Sequence, residues 1–143
     1  MGYRFDQLAG NVGWSWTPDG RTIAFATDRG PGTDFEQLTY APTRIALMDA
    51  ETGAIRILPL FEGPKHINPQ WTPDGLSLYF VADRHGFSDI YRTSLADGTI
   101  YQVTRLATGV SGISALSPAL SVARESGSPG ATATRLRPED FAR

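Results

Sequence analysis

The sequence predicts an all-β fold built from repeated sheets of short antiparallel strands, and three observations predict it. The pentapeptide Trp16-Thr17-Pro18-Asp19-Gly20 returns unchanged as Trp71-Thr72-Pro73-Asp74-Gly75. Each copy is followed by runs rich in β-branched and aromatic residues, bounded by turn-forming residues. No stretch sustains the 3.6-residue apolar period of an amphipathic helix, so almost no helix is expected.

The repeat continues beyond the pentapeptide, which makes it the main architectural signal. Ile23-Ala24-Phe25-Ala26-Thr27-Asp28-Arg29 aligns with Leu78-Tyr79-Phe80-Val81-Ala82-Asp83-Arg84. Arg44-Ile45-Ala46-Leu47 then faces Asp89-Ile90-Tyr91-Arg92, and Glu51-Thr52-Gly53 faces Ala96-Asp97-Gly98. Each repeat reads as four strands. The first runs from Val12 to Trp16 and again from Asn68 to Trp71. Pro-Asp-Gly then reverses the chain, proline presetting φ and glycine supplying a positive φ. The second strand is Thr22–Thr27, then Ser77–Ala82. The third is Arg44–Asp49, then Asp89–Ser94. A Thr-Gly or Asp-Gly turn leads to the fourth, Ala54–Leu58 and Ile100–Thr104.

Repeated four-stranded units of this kind are the blades of a β-propeller, which stack sheet on sheet around an axis and typically number four to eight. Blade one spans residues 12–58 and blade two residues 68–104. Tyr3-Arg4-Phe5-Asp6-Gln7-Leu8-Ala9 is similar to Tyr101-Gln102-Val103-Thr104-Arg105-Leu106-Ala107. Residues 3–8 are therefore expected to be the last strand of a preceding blade. Leu116-Ser117-Pro118-Ala119-Leu120 lies where a third pentapeptide would fall, so residues 113–123 are expected to open a third blade. The propeller region is thus 1–123. Residues 124–143, with Ser126-Gly127-Ser128-Pro129-Gly130-Ala131-Thr132-Ala133-Thr134 at their start, read as a disordered tail.

The fold class is accordingly an incomplete propeller of two blades with partial flanking blades. Two blades alone leave two sheet faces to cover. A longer parent protein, a truncated reading frame or self-association into a ring would each account for that. Both Trp16 and Trp71 are expected to be largely buried at equivalent positions.

The pentapeptide, the following Asp83-Arg84 and Asp89-Ile90-Tyr91 together resemble the WD-like propeller repeat of TolB-type periplasmic proteins. The same repeat occurs in the N-terminal propellers of prolyl-oligopeptidase-family enzymes. Blade one departs from it at Arg44-Ile45-Ala46. The resemblance implies a scaffold or protein-interaction module with a protein partner, in the periplasm or cell envelope. Its alternative implication is an accessory propeller gating peptide access to a hydrolase domain not included here.

Bulk composition narrows the function classes. With 13 Lys and Arg against 15 Asp and Glu, the net charge is −2, which offers no electrostatic case for nucleic acid or an anionic membrane. The chain has no cysteine, hence no disulfide, thiolate metal site or cysteine nucleophile. No apolar run approaches the ~20 residues of a membrane helix, and Met1-Gly2-Tyr3-Arg4-Phe5 carries no apolar signal region.

No residue set reads as catalytic, cofactor-binding or metal-binding. Asp28-Arg29 and Asp83-Arg84 recur at equivalent blade positions, as turn locks would and a single site would not. Asp19 and Asp74 belong to identical turns on different blades. His66 and His85 lack any zinc-binding spacing and are expected to be exposed in loops. Gly109-Val110-Ser111-Gly112 lacks the second flanking glycine of a nucleophile elbow. Gly30-Pro31-Gly32 lacks the lysine and helix of a phosphate loop.

The one asymmetric feature is the loop Gly30–Thr43, against His85-Gly86-Phe87-Ser88 in blade two. Long loops on a rigid scaffold often bind. Phe35, Leu38 and Tyr40 make it a candidate partner-contact loop.

Overall fold

The structure is a computed structural model that describes residues 13–28, 34, 36–38, 41–62, 65–110 and 120–123. The described residues form eight strands and no helix. They are β1 (Trp14–Trp16), β2 (Thr22–Thr27), β3 (Arg44–Asp49), β4 (Ile55–Ile57), β5 (His66–Trp71), β6 (Ser77–Ala82), β7 (Asp89–Ser94) and β8 (Ile100–Gln102). They make two four-stranded antiparallel sheets in the orders β1-β2-β3-β4 and β5-β6-β7-β8. Two sequential meanders that do not close on each other constitute an incomplete propeller.

The two middle strands of each blade fall where the residues predict, because β-branched and aromatic residues fill them and turn residues bound them. The outer strands differ. β4 and β8 are shorter than expected, and β5 begins at His66, not Asn68. The ladder of β5 shifts register between Ile67 and Gln70. Asn68 takes a positive φ of 54° there, and Pro69, which has no N–H to donate, is accommodated in the irregularity. Residues 3–8, 113–119 and 124–143 lie outside the described residues, and residues 120–123 are in no strand.

The pentapeptide turns are built alike in the two blades. Gly20 and Gly75 both have φ of 71°, as the turn requires. In blade one the Asp19 carboxylate accepts the Thr17 hydroxyl (2.6 Å) and the Arg21 N–H (3.0 Å). In blade two the Asp74 carboxylate accepts the Thr72 hydroxyl and the Leu76 N–H. The threonine hydroxyl also accepts the N–H that opens the second strand, Thr22 in blade one and Ser77 in blade two, each at 3.0 Å.

Strand β5 lies across β1, β2 and β3, so the inner strand of blade two forms the junction. Ala24, Ile45, Leu47 and Leu58 of blade one meet Trp71, Leu78, Phe80, Ala82 and Tyr91 of blade two in one buried cluster. Trp71 is 6% exposed, and its indole N–H donates to the Ser15 carbonyl at 3.0 Å.

Trp16 does not match the expectation of burial. It holds the position equivalent to Trp71, paired with Ile23 as Trp71 is with Leu78, yet it is 41% exposed. The cause is directional. The motif tryptophan faces the blade before its own, and for Trp71 that blade is blade one. Trp14, Trp16 and Ile57 rim the opposite face of blade one, around buried Ile23, Phe25, Ala46 and Met48.

The far face of blade two is mixed, with Ile67, Val81 and Ile90 in an apolar row. It carries Gln70, Tyr79, Arg92 and Tyr101 in one cross-strand row. The Arg92 guanidinium lies 5.0 Å from the Tyr101 ring centroid.

His66 is a second correction. It is no exposed loop residue but the first residue of β5, 1% exposed, on the face turned to blade one. His85 is exposed in the β6–β7 connection as expected.

Candidate contact surface at the loop end of the blades

Because each sheet is a simple meander, its connections alternate between two ends. One end carries the pentapeptide turns and the turns after the third strands. The other carries the β2–β3 and β6–β7 connections, the β4–β5 linker and the segment following β8.

The turn end holds several carboxylates, and hydrogen bonds within the turns engage them. The two pentapeptide turns are neighbours: a Cβ on Gly75 would stand 3.5 Å from the Pro18 Cδ. The fold therefore brings the Asp19 and Asp74 turns together, which their sequence positions alone do not suggest. Both carboxyls are held below the usual carboxylate range, first by the threonine hydroxyl each accepts and then by a backbone N–H. Asp49 accepts the Glu51 and Thr52 N–H groups and the Thr52 hydroxyl, and Asp97 accepts the Thr99 N–H. Both are lowered for that reason. A carboxylate kept ionised by its own turn is a poor proton donor near neutrality, so this end is suited to chain reversal.

The loop end is more varied. Of the three candidate contact residues, Leu38 is described, whereas Phe35 and Tyr40 lie outside the described residues. Leu38 closes a short turn at φ 54° and is 71% exposed. The Asp34 carboxylate shapes that turn by accepting the Glu36 and Gln37 N–H groups at 2.9 and 3.1 Å. A positive φ is unusual for leucine, and the exposed side chain projects apolar surface that the blade core does not use.

At the same end of blade two, a concavity of about 590 Å³ is lined by His85, Phe87, Asp89, Gln102, Arg105 and Leu106, with Ala107 beside them. Phe87 is 53% and Leu106 47% exposed. Asp89 is its buried polar anchor. Its carboxylate accepts the Thr104 hydroxyl (2.9 Å), the Leu106 N–H (3.1 Å) and the Gln102 side-chain amide (3.2 Å). These bonds fold the chain after β8 back onto the start of β7. The Val110 N–H donates to the Ser88 carbonyl and fastens the same two segments.

The Asp-Arg pair of blade two departs from the turn-lock expectation, because both side chains reach the segment before β5 and not their own turn. The Asp83 carboxylate accepts the Lys65 N–H at 3.0 Å and so ties the end of β6 to the entrance of β5. The Arg84 guanidinium lies 4.8 Å from the Phe61 ring centroid, stacked on the linker between the blades. Arg29 and Ser111 lie outside the described residues. Among the described residues no group of three or more His, Asp or Glu side chains is placed to hold a metal ion.

No protein-family model matches the sequence, and no curated protein matches it. Solved structures do. TolB from Acinetobacter baumannii superposes with a TM-score of 0.55 at 24% identity, over 67% of this chain and 21% of that one. A putative TolB from Agrobacterium tumefaciens gives 0.53 at 28% identity, over 67% of this chain and 31% of that one. Puromycin hydrolase gives 0.53 at 25% identity, over 72% of this chain and 15% of that one. The chain therefore spans under a third of the length of each. The likeness supports a TolB-like propeller fold.

Proposed function

We propose that this chain is a non-catalytic module of a TolB-like cell-envelope protein, a rigid propeller segment whose WD-like repeats display a protein-contact surface. One observation carries the reading. The carboxylates at the turn end are engaged in equivalent turns of both blades, while the loop end differs between blades. A scaffold needs its supporting contacts repeated, and a contact surface needs features that occur once. The similarity to two TolB structures supports the periplasmic or envelope assignment.

In this reading Phe35, Leu38 and Tyr40 form an apolar contact on the loop of blade one. Shortening that loop to the blade-two length, with Thr43 kept because its carbonyl accepts the His66 N–H, should preserve the thermal transition. Partners should be identified by crosslinking from periplasmic extract with purified chain, and their affinity should fall at least tenfold in the shortened variant. A lost thermal transition would mark the loop as structural and sink the contact assignment.

The likeness to puromycin hydrolase favours a second reading, an accessory propeller that governs access to a peptidase domain. The two readings separate on the parent gene. A G-x-S-x-G segment with later aspartate and histidine supports the peptidase, and further pentapeptide repeats support the envelope scaffold. In either case the purified chain should not hydrolyse peptide or ester substrates. Turnover abolished by one point substitution in this chain would overturn the non-catalytic reading.

A further inference from the structure

The blade junction contains a buried titratable group that neither reading uses. The His66 N–H donates to the Thr43 carbonyl at 2.7 Å, which stitches the start of β5 to the start of β3. Its imidazole packs on Phe61 (5.3 Å between centroids) and edge-on to Phe80 (5.6 Å). Nε2 is buried and has no hydrogen-bond partner. The Tyr91 hydroxyl, whose ring also packs on Phe61 and Phe80, is buried without a partner as well. An aromatic seam with two unpaired polar atoms tolerates a neutral imidazole at some cost and an imidazolium hardly at all.

The charged groups around His66 do not provide for its protonation. Arg44, at the start of β3 on blade one, has the same sign as an imidazolium. Lys65 precedes His66 on its own segment, and Arg84 is stacked on Phe61. Asp83 has the helpful sign, but its Oδ1 accepts the Lys65 N–H. Asp89 follows Ala82 in the same cross-strand row as His66, and Thr104, Leu106 and Gln102 engage both its oxygens. Burial, then Arg44, push the His66 pKa down to about 4, with Asp83 opposing.

We propose that His66 is an acid-sensitive pin of the blade junction: its protonation expels the ring from the seam and parts blade two from blade one while each sheet keeps its own pairing. The proposal does not depend on the functional reading above. The sign follows from linkage. The closed junction prefers neutral His66, so its contribution is complete above the ordinary value of 6.5. It is lost as pH falls from there through about 4. The opening equilibrium should grow by about two orders of magnitude over that interval.

The test uses the full chain with Trp14→Phe and Trp16→Phe, which leaves Trp71 as the only tryptophan, set against the junction carbonyl of Ser15. Trp71 emission and far-ultraviolet circular dichroism are followed from neutral pH into acid. Trp71 should shift to the red while the sheet signal persists, and His66→Phe should abolish that early shift. An unchanged midpoint in His66→Phe, or loss of both signals together, would overturn the proposal. Should His66→Phe not fold, an NMR titration of the parent chain decides, with His85→Asn assigning the two histidines. A His66 midpoint near 4 that coincides with the Trp71 shift supports the pin, and a midpoint at or above 6.5 refutes it.

Discussion

Replacing Trp71 by alanine is expected to destabilise the chain by about 3–5 kcal/mol, whereas the same change at Trp16 should cost under about 2 kcal/mol. The two residues share a motif, a strand position and a pairing register, so local sequence offers no reason for a difference. The reason is what each ring touches. Trp71 belongs to the buried cluster that Ala24, Ile45, Leu47 and Leu58 of blade one share with its own blade, and its indole N–H satisfies the Ser15 carbonyl. Truncation there opens a void in the junction and leaves a part-buried acceptor without its donor. Trp16 is 41% exposed on the opposite face of blade one. Trp71→Phe should fall between, because it keeps most of the packing and loses the donor. Urea denaturation of the three variants measures the difference. Equal losses at Trp16 and Trp71 would mean that the junction is not where the stability resides.

Asp89→Ala should cost about 3 kcal/mol, the order expected when a buried carboxylate with several hydrogen bonds is removed. Asp89 is 4% exposed. Thr104 is the hinge of its network: the hydroxyl donates to Asp89 and accepts the Ile90 N–H at 3.0 Å. Without the carboxylate, the Leu106 N–H loses its acceptor and the Gln102 amide keeps only the Thr104 carbonyl, at 2.9 Å. The segment after β8 then has less to hold it on β7. Asp89→Asn should lose less, since one oxygen remains to accept Thr104 and Leu106 while the new amide faces that of Gln102. Amide exchange should quicken at Leu106 and Ile90 before it does in β6. A loss below about 1 kcal/mol for the alanine variant, with exchange unchanged, would show that the network is ornamental to stability. Blade one has Arg44 at the matching position, so the clamp belongs to blade two alone.

Legibility differed by element for physical reasons. β2, β3, β6 and β7 could be read to the residue because each carries a run of strand-forming residues bounded by turn residues, so composition and boundary agree. The outer strands were less legible, since edge strands end where pairing ends, and pairing is not written in residue type. His66 looked like a loop residue because it lies two positions before Asn68 and Pro69, which interrupt the strand pattern. The register irregularity there extends β5 past that interruption and carries His66 into the junction. At the candidate site, the length and apolar residues of the blade-one loop were visible. The cleft beside Asp89 was not, because it joins a turn to a segment well separated from it in sequence.

What the sequence by itself determined is the repeat, the strand content and the turn chemistry. These rest on interactions within a few residues: β-branched side chains on a pleated strand, a carboxylate reaching the next N–H groups, and glycine at positive φ. What only the tertiary structure decided is how copies of one motif are used. It buried one tryptophan and left its twin half-exposed, placed a histidine in an aromatic seam, and made Asp89 a clamp. Those outcomes depend on which blade stands beside which face, and burial is a property of neighbours in space.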